Sequence, residues 1–415
     1  MIDAIPQRFR DPIHNPEPLL AEQYRKLFAH DATAPEPSQV ALFSRALLRG
    51  DPLADAWCAR SLELPHSERQ RLFERAATHG IASVEGAPAE LVALFRQAET
   101  VPLWLDAKRI TWGANICRRA GLLGHFVLSD FALLGGYRSS AIAKTLVGTG
   151  ELRDNAAERL AHTVHYVMSV TEPGAMLPGN PGFAATLQVR MVHARVRRAL
   201  LQAPHWRTDL WGLPINQADS LGTNLLFSIG LLEGCKQWGL RFTEREADAV
   251  IQLWRYIGYV IGVDESLLPS DVESARRALY MVGVSQPDPD EDSLALARAF
   301  CAVPLSFVHS PLGKRLIGAE MNVRVSMTRR ILGDAAADQL ELPRSRLRLL
   351  LTPIVAAVSA LERARTLLPF GEQFALRAGN HLLAKQAEFL DAALKQRPTP
   401  VARPQPSTVL SRSAV

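Results

Sequence analysis

The chain has 415 residues, of which 47% are hydrophobic, 7% aromatic and 21% charged, a balance that excludes a disordered chain and predicts a large core. The net charge is +5, and no Lys/Arg block is interleaved with aromatic residues, so we predict no nucleic-acid partner. The same excess suits an anionic membrane surface or an acidic cofactor. The four cysteines are isolated and form no CxxC motif, which is typical of proteins in a reducing compartment.

The first segment, residues 1–37, is predicted to be an extended arm followed by a first helix, because prolines at positions 6, 12, 16 and 18 exclude a helix near its start. Residues 38–396 are predicted to form one helical domain. The Pro-, Arg- and Ser-rich residues 397–415 are predicted to be a disordered tail.

Helical periodicity without long Val/Ile/Thr alternation dominates the chain. Asp51 and Pro52 form a strong helix-start signal. The predicted helices are 19–29, 38–48, 66–78, 87–98, 121–134, 138–147, 153–170, 181–202, 217–238, 243–262, 291–302, 313–332, 344–368 and 372–396. We therefore predict an all-α fold, a single large helical domain.

The two longest apolar runs, GLLGHFVLSDFALLGG and LLLTPIVAAVSAL, are shorter than a membrane span. They are predicted to be buried helices of a core, with no transmembrane segment, although a loose membrane association stays open. The first residues have no apolar h-region and no twin arginine. The expected location is therefore cytoplasmic.

The stretch LQVRMVHARVRRALL carries a histidine among arginines on a predicted helix. Val189, Val192, Val196 and Leu200 recur at helical spacing, and His193 lies at the edge of that stripe. His193 is either a satisfied core histidine or a ligand of a metal or haem iron. A haem needs a neutral imidazole, a dry pocket and cations for its propionates. This valine- and arginine-rich helix supplies all three, and Arg190 and Arg197 are the predicted cofactor-binding cations.

The stretch ERLAHTVHYVM places Arg159, His162 and Thr163 on one side of a predicted helix. His165 follows His162 by three residues, so the two histidines either share a non-haem metal or are ordinary core and surface histidines. In the later stretch DSLGTNLLFS, the hydroxyl of Thr223 either bonds back to a carbonyl or points at a ligand. No GxSxG, GxxxxGK[ST] or strand-linked GxGxxG motif is present.

The stretches ERLAHT, RMVHARVRRALL, WGLPINQADSLGTNLLFS and LWRYIGYVIGVDESLLP occur in the order found in the latex-clearing-protein (rubber oxygenase) and mpaB-like oxygenase superfamily, which the chain resembles over about residues 45–285. GDPLADA at 50–56 also resembles that family's early segment. The resemblance implies an all-α, globin-like core with additional helices.

It also implies a b-type haem held without covalent links, O2 as co-substrate, and His193 as the proximal ligand of the iron. Arg159, Thr163 and Thr223 match residues of the family near the haem. His162 stands where the rubber oxygenases carry a distal lysine. Their glutamate base has no counterpart in AIAKTLVGTG, where the next acid is Glu151.

We therefore predict a haem-dependent oxygenase that acts with O2 on an apolar small-molecule or prenyl-chain substrate, by oxidative cleavage of a C=C bond. Arg159, His162 and Thr163 are the predicted catalytic residues, and His193, Arg190, Arg197 and Thr223 the predicted cofactor-binding residues. The alternatives are a non-catalytic haem sensor or carrier and a cofactor-free helical interaction protein.

Overall fold

The structure, a computed structural model, describes residues 5–28, 35–148, 156–308 and 310–395. No strand occurs in those ranges, so the all-α prediction is confirmed. The predicted tail, 397–415, lies outside the described residues. None of the helices in the described ranges is long and apolar enough to cross a membrane.

The helices match the predicted ones closely wherever the sequence carries both a long apolar period and a cap. Their bounds are Leu19–Leu27, Pro37–Ala46, Pro52–Ser61, His66–His79, Ala89–Glu99, Ala107–Arg119, Gly121–Phe126, Leu134–Gly136, Ser140–Val147, Ala156–Val170, Pro181–Gln202, Thr208–Trp211, Gln217–Leu225, Leu231–Gln237, Glu244–Val260, Val272–Val284, Glu291–Ser306, Pro311–Leu332, Asp334–Gln339, Leu351–Leu367 and Gly371–Lys395. The helix Val272–Val284 is absent from the predicted ranges, although the sequence DESLLPSDVES is typical of a helix start, and Asp271 caps the helix by accepting a hydrogen bond from the Ser274 backbone at 2.8 Å.

Two central helices contain a π-helical segment that the sequence pattern did not predict. Val127–Leu133 joins Gly121–Phe126 to Leu134–Gly136, and Leu226–Gly230 continues Gln217–Leu225 in the same way. The two π segments pack against each other. Because a π turn inserts a residue into the helical period, it changes which side chains face the neighbouring helix.

The N-terminal arm is part of the core rather than a separate segment. Arg8 is buried and donates to the two carboxylate oxygens of Asp219 at 3.0 and 2.8 Å. The backbone N–H of Gln7 donates to the Asp209 carbonyl at 2.9 Å. The arm therefore anchors the start of the helix Gln217–Leu225.

The first of the two long apolar runs is buried as predicted, whereas much of the second is exposed. Val127, Phe131 and Leu134 of the first run are buried. In LLLTPIVAAVSAL, by contrast, Leu349 is 75% exposed and Leu361 is 71% exposed. The prediction that this second run is a buried helix was wrong, because only one side of Leu351–Leu367 packs on the rest of the protein.

Gly113 marks a tight helix crossing, between Ala107–Arg119 and Glu244–Val260. A Cβ at this position would lie 2.2 Å from the Ala249 carbonyl oxygen, which is backbone and cannot rotate away. We expect Gly113→Ala to lower the free energy of unfolding by about 1–3 kcal/mol through overpacking. Gly318 on Pro311–Leu332 is the matched control, because a Cβ there has no atom within 4 Å.

Gly318→Ala is expected to raise the free energy of unfolding by about 0.5–1 kcal/mol through helix propensity alone. Urea denaturation followed by circular dichroism measures both changes. Equal effects of the two substitutions would contradict the close approach at Gly113.

Candidate functional site

The candidate site lies along the His193 helix, Pro181–Gln202. Pro181 occupies the first turn, where its missing N–H costs nothing, and the helix ends before Ala203, which is extended. The Arg159 helix, Ala156–Val170, packs beside it. A hydrogen bond of 3.4 Å between the Tyr166 and Thr186 hydroxyls joins the two helices.

The core-facing side of the His193 helix is not the predicted valine stripe. Leu187, Met191 and Ala194 are buried, whereas Val192 is 48% exposed. Val189 and Val196 are half-buried and share a face with His193. The stripe prediction was therefore wrong in part, because two arginines occupy the buried side.

These two arginines, Arg190 and Arg197, have acidic partners on or next to the helix Pro52–Ser61. Arg190 donates to the two oxygens of Asp51 at 2.6 and 3.0 Å, and to the Gln97 side chain at 2.6 Å. Arg197 donates to Asp55 at 2.8 and 3.0 Å. Both guanidinium groups are thus neutralised by carboxylates of the protein. The structure shows them fixing the His193 helix to the core, and their role in holding haem propionates stays a prediction.

His193 itself is half-buried. Neither ring nitrogen forms a hydrogen bond with a residue that the structure describes. Burial lowers the pKa of His193 to about 4, the positive charges of Arg197 and Arg159 lower it further, and Asp51 opposes the shift. The imidazole is therefore neutral at pH 7 and keeps a lone pair available, as an axial iron ligand requires.

The predicted catalytic residues of the Arg159 helix have different surroundings. Arg159 and Thr163 are half-buried, and the charge of Arg159 acts on His193. The Thr163 hydroxyl donates to the Arg159 carbonyl at 3.0 Å, and His162 is exposed. Arg159 thus acts on His193 through its charge, while no hydrogen bond or ion pair joins His162 to His193 among the described residues.

Thr223 forms no hydrogen bond with the other predicted residues in the described part of the chain. Its hydroxyl donates to the Asp219 carbonyl at 3.1 Å, and the residue is exposed although Leu221 and Leu225 beside it are buried. The back-bonding alternative is the one that the structure shows. A role of Thr223 in binding a cofactor stays a prediction.

Tyr137 is a residue near Arg159 that the sequence did not single out. It is buried, and burial raises the pKa of its phenol to about 12, with the charge of Arg159 opposing. The phenol is protonated at neutral pH, so it can donate a hydrogen bond but cannot act as a base. No local period or motif marks Tyr137, because it and Arg159 belong to segments that are separate in the chain.

The alternative of a non-haem metal at His162 and His165 has no support from the described contacts. His165 Nε2 lies 2.8 Å from Asp391 on the C-terminal helix, a partner distant in the chain. Within the described ranges, no three His, Cys, Asp or Glu side chains gather closely enough to hold a metal ion.

Three comparisons relate this geometry to known proteins. Residues 123–363 match the family model of the ER-bound oxygenase mpaB/B′ and rubber oxygenase catalytic domain. The match begins after the expected first motif, GDPLADA, and extends beyond the expected end near residue 285. It includes the whole His193 helix and the Arg159 helix.

The chain is also 27% identical over 194 residues to the rubber oxygenase of Streptomyces sp. (strain K30). The aligned residues make up 46% of this chain and 47% of that protein, so the chain spans about half the length of this curated relative. The solved structure of Latex Clearing Protein LCP in the closed state superposes on this chain with a TM-score of 0.63 and 21% sequence identity. The superposition covers 82% of this chain and 91% of the other, so the two proteins share the fold. Because the family model matches more than half of the residues, this chain belongs to the mpaB/rubber oxygenase catalytic-domain family.

Proposed function

We propose that the protein is a haem b-dependent oxygenase that uses O2 to oxidise an apolar substrate of the isoprenoid class, by cleavage of a C=C bond. Membership of an oxygenase family supports the reaction class. The name of its rubber oxygenase relative suggests a polyisoprene-like substrate. The observation that carries the proposal is the neutral imidazole of His193, which has no hydrogen-bond partner among the described residues.

The residues around His193 fit part of what a haem requires. His193 would hold the iron, and the half-buried Val189 and Val196 would give its ring an apolar face. Arg159 supplies a fixed positive charge on this side of the helix pair. Arg190 and Arg197 already pair with Asp51 and Asp55, so a propionate bound by these arginines would share them with those carboxylates.

Bound haem iron would supply the activation of O2. The chain itself would position the substrate against apolar side chains and limit water at the reaction centre. Arg159 cannot accept a proton at neutral pH, and Tyr137 is a hydrogen-bond donor there. Glu151, the first acid after Lys144, lies outside the described residues. We place this activity in the cytoplasm, since all four cysteines are free thiols.

The test is haemin titration of the purified full chain, followed by its ultraviolet–visible spectrum. We expect a Soret band in the native protein, and its loss or shift in His193→Ala. His125→Ala is the matched control, because His125 is also half-buried, and burial and the charge of Arg324 lower its pKa to about 3. The control variant should bind haemin like the native protein.

O2 consumption with short prenyl-chain alkenes would then separate the alternatives. Haemin binding without O2 consumption would favour a sensor or carrier. A native protein that stays colourless with haemin would overturn the proposal and favour a cofactor-free protein. Unchanged circular dichroism of His193→Ala would show that lost binding is not lost folding.

A further inference from the structure

Large apolar side chains are exposed along the C-terminal hairpin. This hairpin face is formed by the segment Arg346–Leu350, the helix Leu351–Leu367 and the start of the helix Gly371–Lys395. Its large apolar side chains are each between 45% and 82% exposed. They are Leu349, Leu350, Leu361, Leu367, Leu368, Phe370 and Phe374. Scattered exposed leucines are common on protein surfaces, but seven large apolar side chains exposed between positions 349 and 374 favour an interaction site.

The helix Leu351–Leu367 packs on the core through Leu351, Ile354 and Val355, and it carries apolar side chains on its exposed side as well. Glu362 is buried and forms an ion pair with Arg365 on the inner side. Pro353, Ala357 and Ala360 are exposed, in line with Leu361 on the helix face. A surface helix normally turns its polar side to water. The exposed side of this helix is therefore more apolar than that of an ordinary surface helix.

The turn between the two helices presents an aromatic side chain at an unfavourable backbone conformation. Phe370 has a φ of 63°, in the left-handed region that favours glycine, and its side chain is 74% exposed. Leu368 and Phe374 flank it, both exposed. Folding gains nothing from burying this ring, so its exposure points to a contact outside the chain.

The charges around the hairpin face are positive. Arg346, Arg348, Arg363 and Arg377 are exposed, and none forms an ion pair with a described residue. Glu372, the exposed acid of the same segment, is paired with Arg119 and Arg365. Unpaired arginines beside exposed Leu and Phe are the combination by which peripheral proteins bind anionic lipid. Two copies of such a face would instead repel each other.

We propose that the hairpin face docks the protein on an anionic phospholipid surface. Leu367, Phe370 and Phe374 would enter the boundary between headgroups and acyl chains, while Arg346 and Arg348 would contact lipid phosphates. This docking does not depend on the proposed haem. It would bring an enzyme for apolar substrates to the phase in which such substrates dissolve.

Co-sedimentation of the full chain with phospholipid vesicles tests the proposal. One vesicle population is phosphatidylcholine alone, and the other contains equal parts of phosphatidylcholine and phosphatidylglycerol. We expect binding to the anionic vesicles, reversed by high salt, and little binding to the neutral ones. Leu367→Ser/Phe370→Ser/Phe374→Ser should weaken binding by more than about 10-fold, and Arg346→Gln/Arg348→Gln by about fivefold per arginine.

The matched control is Leu103→Ser, because Leu103 is fully exposed and lies in the loop before the helix Ala107–Arg119, outside the hairpin. It should bind the vesicles like the native protein. Circular dichroism of each variant would show whether it is folded. No binding to anionic vesicles, or equal binding by the native protein and both variants, would overturn the proposal. Self-association without lipid that the triple variant abolishes would overturn it in favour of a subunit interface.

Discussion

Asp51→Asn is expected to lower the free energy of unfolding by about 3–5 kcal/mol, because it removes the carboxylate that neutralises a buried guanidinium. Arg190 is 2% exposed and donates to the two oxygens of Asp51. Asparagine preserves the shape and retains the oxygen that caps the helix Pro52–Ser61 through the Ala54 N–H. The loss would therefore report the ion pair rather than the cap.

Urea denaturation followed by circular dichroism measures this change. Asp209→Asn is the matched control, since its ion pair with Arg207 lies at the surface, and we expect no change there. The double variant Asp51→Asn/Arg190→Gln should recover part of the loss, because it no longer leaves a charge buried without its partner. A single variant as stable as the native protein would contradict the structural role assigned to the pair.

Lowering the pH from 7 to 5 is expected to reduce the stability of the cofactor-free protein by about 4 kcal/mol, about 2 kcal/mol from each of two buried histidines. Burial lowers the pKa of His193 to about 4 and that of His125 to about 3, from a usual value of 6.5. At a pH between its lowered pKa and the usual value of 6.5, each imidazole is protonated in the unfolded chain and neutral in the folded chain. The free energy of unfolding therefore decreases as the pH falls from 7 to 5.

The measurement is urea denaturation at several pH values between 5 and 7, where few carboxylates titrate. His193→Leu and His125→Leu should each remove about half of the pH dependence. His66→Gln is the control, because His66 is exposed and its removal should leave the slope unchanged. A pH-independent stability of the native protein would show that the two imidazoles are not held neutral by the fold.

Much of the candidate site could be predicted from residues close together in the chain. His193 was singled out by its place beside a valine period, and its neutral ring agrees with that choice. The side chains that fix its helix could not be predicted in the same way. Asp51 was identified only as a helix cap, yet it also pairs with Arg190 across 139 positions of the sequence. No local period carries information about a partner so distant.

The sequence by itself determined most of the helices and their order, because capping and apolar periodicity act within a few residues. The order of its motifs indicated the family. Thr243, for example, begins Glu244–Val260 through a capping box with Glu246, a signal that lies within four residues. The tertiary structure alone decided which side of each helix is covered. It buried Arg190, gave Arg8 a partner in Asp219, and left Leu361 in solvent. Burial depends on what the other helices cover, and the free energy of a charge depends on the partner that folding brings to it.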